Sequence, residues 1–291
     1  STSRAVIRGE ANTNQVPFAN VQGLVNYGPG GGGRIENLTL MGATAGVWGY
    51  GNGRTLPQTV TLKKVSLIQN GRGIAGAFKR LLVEDSSILA SHIHGASLLS
   101  CTNSAVTFAN SYIGDCGQFG LRLESCSPSN KPIKLIINKT ILTGNKSGGA
   151  VLIGPANVQV LASKFLNNGQ VGFWCNDIGT TNNLFFNNLV SGNYQTQSMP
   201  GNGVVIANGG KLTTVVSDII ANQGAGFEAY NSGISLSGCC VTSNLYGGFL
   251  SYAEYQDTCC NTITNNTEEN LYFYGNLPVP NSPVPTPDMP P

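Results

Sequence analysis

Few side chains of this sequence are equipped for chemistry. Its 291 residues contain 14 acids, 16 lysines and arginines, and two histidines. Glycoside hydrolysis needs two carboxyls, about 5–5.5 Å apart for retention or about 6.5–9.5 Å for inversion. The best-placed pair is Glu124 and Asp177, accompanied by Arg122 and Trp174, with Glu228 farther along. Tyr230, Tyr252 and Tyr274 recur at intervals of 22 residues. Solvent-facing rings suit sugars, whose C–H faces pack on π surfaces while their hydroxyls meet polar neighbours. Such a ladder equally serves a sheet through same-face contacts, or is covered by a neighbouring subunit. The stretch Ser91-His92-Ile93-His94-Gly95 offers two histidines, and Asp115 is the one acid in register with them. Turn positions are the simpler reading of both histidines, and neither a metal nor another cofactor is expected.

What places these groups on one face is a repeat of about 22 to 31 residues. A glycine followed by apolar, any, apolar begins at Gly120, Gly149, Gly172, Gly203, Gly226 and Gly248, and Asn270-Leu-Tyr-Phe continues it. Four residues earlier stands an asparagine in most copies: Asn145, Asn168, Asn222, Asn244 and Asn266. Before the asparagine lies a second alternating segment, whose apolar position runs Leu67, Ile88, Ile113, Ile141, Phe165, Val190, Ile219, Val241 and Ile263. Period-two alternation marks strands with one buried face. Gly and Asn tolerate the left-handed conformations of tight turns. Two strands per coil, in coils too short for a strand and helix with loops, predict an all-β fold: a parallel β-helix solenoid of about ten coils.

In that solenoid equivalent residues stack at about 4.8 Å. Phe173, Val204, Phe227, Phe249 and Leu271 are expected to form an inward column, and the asparagines a ladder of side-chain amides. Outward positions are then Arg122 and Glu124, Trp174, Glu228 and Tyr230, Leu250 and Tyr252, and Tyr272 and Tyr274. Glu124 and Asp177 fall two coils apart, about 9.6 Å at that spacing and marginal for inversion. Lys164 and Asp218 share an outward column of the other strand.

Composition sets the remaining bounds. Charged residues are 10% of the chain and the formal net charge is +2, without a basic cluster that would mark a nucleic-acid partner. No run of 18 apolar residues is present, so membrane insertion is not expected. Residues 1–33, with glycines at 28 and 30–33, read as an N-terminal cap or assembly segment. Residues 34–276 are the β-helix, and 277–291 a proline-rich tail or linker. Eight cysteines lack paired zinc spacing. Cys101 and Cys126 each lie six residues after a coil glycine and are expected to be stacked and bridged. Cys239-Cys240 and Cys259-Cys260 leave connectivity open, and Cys175 reads as a core thiol.

Over residues 34–276 the coil pattern resembles the pectate-lyase-like superfamily of right-handed parallel β-helices, which includes polysaccharide lyases, glycosidases, alginate epimerases and phage tailspikes. The resemblance rests on the coils and not on a catalytic motif. The clustered aspartates with Gly-His-Gly of polygalacturonases, and the calcium-binding carboxylates of pectate lyases, are not found. It implies a polysaccharide or surface glycan lying along the outer face of one sheet, bound by Arg122, Trp174, Glu228, Tyr230, Tyr252 and Tyr274. The protein would be secreted or exposed on a cell or virion surface. Hydrolase, lyase or epimerase chemistry would be the enzymatic options, with Glu124 and Asp177 the catalytic candidates. The competing reading is a non-catalytic fibre, adhesin or lattice subunit, forming homo-oligomeric contacts.

Overall fold

The computed structural model describes residues 5–8, 23–51, 55–100, 103–125, 132–179, 183–196 and 200–275. They form a right-handed parallel β-solenoid of about ten turns. Each turn contributes three strands, one more than the repeat suggested. In one coil these are Lys164–Leu166 in sheet A, Val171–Asn176 in sheet B and Leu184–Phe186 in sheet C. Sheets A and B have 11 strands and sheet C has 10, every strand pairing with the strand one coil away. The sheet C strands alternate as clearly as the others, Ile133–Asn138 burying Ile133, Leu135 and Ile137. They lack a recurrent glycine or asparagine, and the connections before them vary in length, so no fixed spacing marks them. The described parts of the first 33 residues already belong to the solenoid: Ala5–Arg8 pairs with Leu38–Met41, and Gly23–Tyr27 with Ala45–Gly49.

The interior is a column of apolar side chains to which all three sheets contribute in every turn. Phe165, Phe173 and Phe185, one from each sheet, meet with ring centroids 5.4 to 5.9 Å apart and are fully buried. Dispersion and burial of this axis supply the main stabilising term. In sheet A the inward column passes through Leu142 where Ile141 was expected, because Ile113 pairs with Leu142.

Bends between sheets bury backbone N–H groups that no strand can satisfy. At the A-to-B bend the Asn145 N–H donates to Asn168 Oδ1 at 3.2 Å and the Asn145 amide to the same oxygen at 2.9 Å. Asn168, Asn193, Asn222 and Asn244 repeat the arrangement, the last donating to Asn266. Asn193 escaped the four-residue spacing because an insertion separates it from Gly203. A second ladder, absent from the sequence reading, lines the C-to-A bend. There the Val65 N–H donates to Ser86 Oγ, Ser86 to Ser111, Ser111 to Thr140 Oγ1, Thr140 to Ser163, Ser163 to Asn188 Oδ1 and Asn188 to Ser217.

The left-handed turn residues are not the ladder asparagines or the repeating glycines. They stand immediately before the ladder position: Gly144, Asn167, Gly192, Ala221, Ser243 and Asn265, with φ of 52° to 67°. The repeating glycines are needed for closeness instead. A Cβ on Gly226 would lie 2.7 Å from the Gly247 carbonyl and 2.8 Å from the Asn244 amide nitrogen of the next coil.

Two stability predictions follow from these bends. Asn222 Oδ1 accepts both the Asn193 N–H at 3.2 Å and its side-chain amide at 2.7 Å. Asn222→Leu should therefore lose about 3 kcal/mol or more in denaturant unfolding, at about 1–3 kcal/mol per stranded donor. Val216 is β-branched, exposed and held at φ 47°. Val216→Asn should raise the unfolding free energy by about 1 kcal/mol, since Asn enters the left-handed region at lower cost.

Candidate glycan-binding face

Sheet B is the face framed by variable connections. From Lys63 onward every C-to-A bend is two residues long, whereas longer segments enter or leave sheet B, as between Ser191 and Asn202 and between Asn176 and Leu184. Its central outward column runs Ser97, Arg122, Val151, Trp174, Val205, Glu228, Phe249 and Tyr272. The next outward column runs Leu99, Glu124, Ile153, Asn176, Ala207, Tyr230, Ser251 and Tyr274 in the same pairings.

These registers correct the expected order in one coil. Gly247, not Gly248, is the equivalent of Gly226, because Phe227 pairs with Gly248 and Glu228 with Phe249. The bend from Asn244 to Gly247 is one residue shorter than its neighbours, so the side chains of the strand after it, Tyr246–Ser251, exchange faces relative to the expected order. Phe249 thus faces outward, Leu250 is buried, and Tyr252 sits at a left-handed bend with φ 49°. Tyr230, Tyr252 and Tyr274 are not one ladder: Ser251 separates Tyr230 from Tyr274, and Tyr252 meets Tyr274 edge-on at 6.1 Å. The continuous aromatic platform is Tyr246, Phe249 and Tyr272, with Phe249 and Tyr272 stacked at 5.0 Å.

Glu124 and Asp177 are not brought into one column. Glu124 aligns with Ile153 and Asn176. Asp177 lies one residue beyond, at a bend with φ 57°. Glu124 is also engaged by Arg122, whose Nε donates to Oε1 at 2.7 Å and whose Nη2 contacts the same oxygen. Glu228 lies half-buried between Val205 and Phe249. Burial raises its carboxyl above the ordinary range, and the Asn202 amide, donating to Oε2 at 2.5 Å, offsets part of that. Trp174 keeps its indole N–H buried without a hydrogen-bond partner among the described residues.

A third outward column, immediately before each coil glycine, was overlooked in the repeat. It places Arg72 and Phe119 at the starts of their sheet B strands and His94, in the coil between them, just before its strand, beside Ser97, Arg122 and Glu124. The position before Gly73, Gly95 and Gly120 was the readable signal. His94 lies in the bend between sheets A and B, as expected of a turn residue, but it is buried there, its ring 6.1 Å from that of Phe119, and its Nδ1 accepts the Phe119 N–H at 3.3 Å. Burial first, then Arg122 and Arg72, lowers its pKa to about 4. It is therefore neutral at pH 7, with its proton on Nε2. Asp115 sits at a left-handed bend, and among the described residues no group of three metal-ligating side chains converges.

The family model for the right-handed β-helix region matches residues 8–161 and 82–241. The chain belongs to that family. Among solved structures, this β-helix protein is similar to the periplasmic alginate epimerase AlgG, at 14% identity and a TM-score of 0.65, over 92% of this chain and 67% of that one. It is also similar to the A-module of the Azotobacter vinelandii mannuronan C-5 epimerase AlgE4, at 17% identity and a TM-score of 0.64, over 91% of this chain and 77% of that one. At such identities these likenesses establish the shared solenoid. By sequence, no curated protein matches the chain.

Of the cysteines, Cys175 is fully buried in this β-helix and its thiol is pushed up by burial. Cys101 and Cys126 lie outside the described residues; the residues leading to them, Ser100 and Ser125, pair across sheet B. Cys259 and Cys260 are joined to each other, and Cys239 and Cys240 are free thiols.

His94 generates a pH prediction. Because its folded pKa lies below the ordinary 6.5, the neutral ring's contribution is complete above about 6.5 and is lost as pH falls toward about 4. Unfolding free energy measured from pH 7 to 4 should drop more steeply in the wild type than in His94→Gln, which does not titrate. In Arg122→Ala the NMR titration midpoint of His94 should move up, yet stay below 6.5, since burial is the larger cause.

Proposed function

We propose that the protein binds an acidic polysaccharide along the outer face of sheet B. The observation carrying this reading is the gathering of Arg72, His94 and Arg122 from three successive coils at that face, His94 from the bend that enters its strand, with Glu124 as the adjoining acid. Two guanidiniums and a neutral imidazole N–H are hydrogen-bond donors suited to a sugar carboxylate. Farther along the face, Trp174, Glu228 and Tyr230 lead to the aromatic platform of Tyr246, Phe249 and Tyr272, with Tyr252 and Tyr274 at its margin. Rings there suit sugar C–H faces, and Glu228 with Asn202 suits hydroxyls.

The similar structures support the choice of an acidic glycan, being epimerases of alginate and mannuronan. The periplasmic location of AlgG supports likewise a location outside the cytoplasm, which we propose to be secreted or at a surface. Removing a proton beside a sugar carboxylate needs a base within reach. The unprotonated nitrogen of His94 is occupied by the Phe119 N–H. Glu124 is held by Arg122, and its separation from Asp177 into different columns weakens the glycosidase pairing. Recognition, rather than turnover, is the function this geometry favours.

Titration with an oligomannuronate by calorimetry tests the reading. Binding should weaken as salt rises, and Arg122→Ala should reduce affinity about tenfold, roughly the loss of one charge-assisted hydrogen bond. Phe249→Ala should reduce it for acidic and neutral oligosaccharides alike. Unchanged affinity in Arg122→Ala, or no binding at any salt concentration, would overturn it. Appearance of unsaturated or epimerised product would replace recognition by catalysis.

A further inference from the structure

A second candidate surface lies away from sheet B, along the C-to-A corner. There a groove of about 450 Å³ is lined by Asp85, Ser87, Asn110, Tyr112, Lys139 and Ile141, with Ser86 and Ser111 as its floor. Clefts that hold small ligands span about 300–1,000 Å³. The dent arises from the bend itself. Ser86 and Ser111 turn inward to serve the ladder. Asp85, Asn110 and Lys139, at φ of 48° to 49°, stand on one side of them. Ser87, Tyr112 and Ile141, paired in register in sheet A, stand on the other.

Two features make this stretch a candidate for binding. The side chains of Asp85, Asn110 and Lys139 make no hydrogen bond or ion pair among the described residues, so three polar groups line the groove uncommitted. They repeat at about 4.8 Å along the axis, the spacing between strands. Secondly, the Tyr112 ring lies over Gly114 in place of a side chain: a Cβ on Gly114 would be 2.6 Å from Tyr112 Cε1 and 3.1 Å from its hydroxyl. Glycine there lets the ring lie along the sheet and present a face to solvent. An aromatic face beside a row of acceptor and donor groups suits a hydroxylated ring. One acid and one base leave the groove without net charge, which favours a neutral sugar over a uronate.

We propose that this corner groove is a separate binding site for a neutral oligosaccharide, lying along the solenoid axis with one sugar on Tyr112 and its hydroxyls on Asp85, Asn110 and Lys139. The inference stands independently of the sheet B reading, which concerns another face and an acidic glycan. Cellotetraose, maltotetraose and mannotetraose, each titrated into the full chain and followed by amide NMR, test it. At least one should shift the amides of Ser87, Asn110 and Tyr112. Tyr112→Ala and Gly114→Ala should weaken that binding about tenfold while Tyr112→Phe retains it, because the ring face and not the hydroxyl is used. Arg122→Ala should leave it unchanged, and thermal unfolding of each variant checks that the solenoid is intact. Shifts confined to sheet B, equal binding by folded Tyr112→Ala, or no shift with any of the three sugars would overturn the proposal.

Discussion

The buried backbone N–H at each bend is the constraint around which the solenoid is organised. A chain that turns three times per coil while keeping its interior dry leaves donors at the corners that no strand reaches, and an unpaired buried donor is costly. The protein meets this with side-chain oxygens lent by the following coil: asparagine amides at one corner, and mainly serine and threonine hydroxyls at another. The ladder side chains must point inward, so the residues before them adopt left-handed φ. The glycines after them must admit the next coil's carbonyl. Apolar packing of Phe165, Phe173 and Phe185 then fills what the bends enclose.

Much of this was legible in the sequence because solenoid repetition writes one physical requirement many times. The Gly and Asn spacing located sheets A and B and the amide ladder. It failed where one requirement can be met in several ways. The serine and threonine ladder carries no single residue type, and the sheet C strands follow connections of unequal length. The shortened bend between Asn244 and Gly247 shows a sharper failure. Asparagine-to-glycine spacing was treated as constant, and the single missing residue exchanged Phe249 with Leu250 between the two sides of sheet B.

The candidate site was legible in part for the same reason. Arg122, Glu124, Trp174 and Glu228 were read as outward, and sheet B carries them so, because their strands keep the common distance from the coil glycine. Arg72 and His94 were missed because they precede the marker glycine, outside the apolar-any-apolar window used to define the strand. The neutrality of His94 follows from burial against two arginines on adjoining coils, a relation between residues 22 to 50 positions apart that local reading does not reach.

The backbone N–H groups of both ladders donate one way, while the ladder side chains donate back to carbonyls of the preceding coil. Each coil's bend N–H is accepted by the coil that follows it, from Val65 to Ser86 at one corner and from Asn145 through Asn266 at the other. The solenoid is therefore a polar filament with chemically unlike ends. Each corner is completed by later chain; in the last described coil the Asn266 amide donates to Val241 of the coil before and to Asn270 of its own. As the chain emerges from the ribosome, a coil's corners close only when the next coil has been made. The growing tip then carries one unfinished turn, and the structure matures a coil behind synthesis.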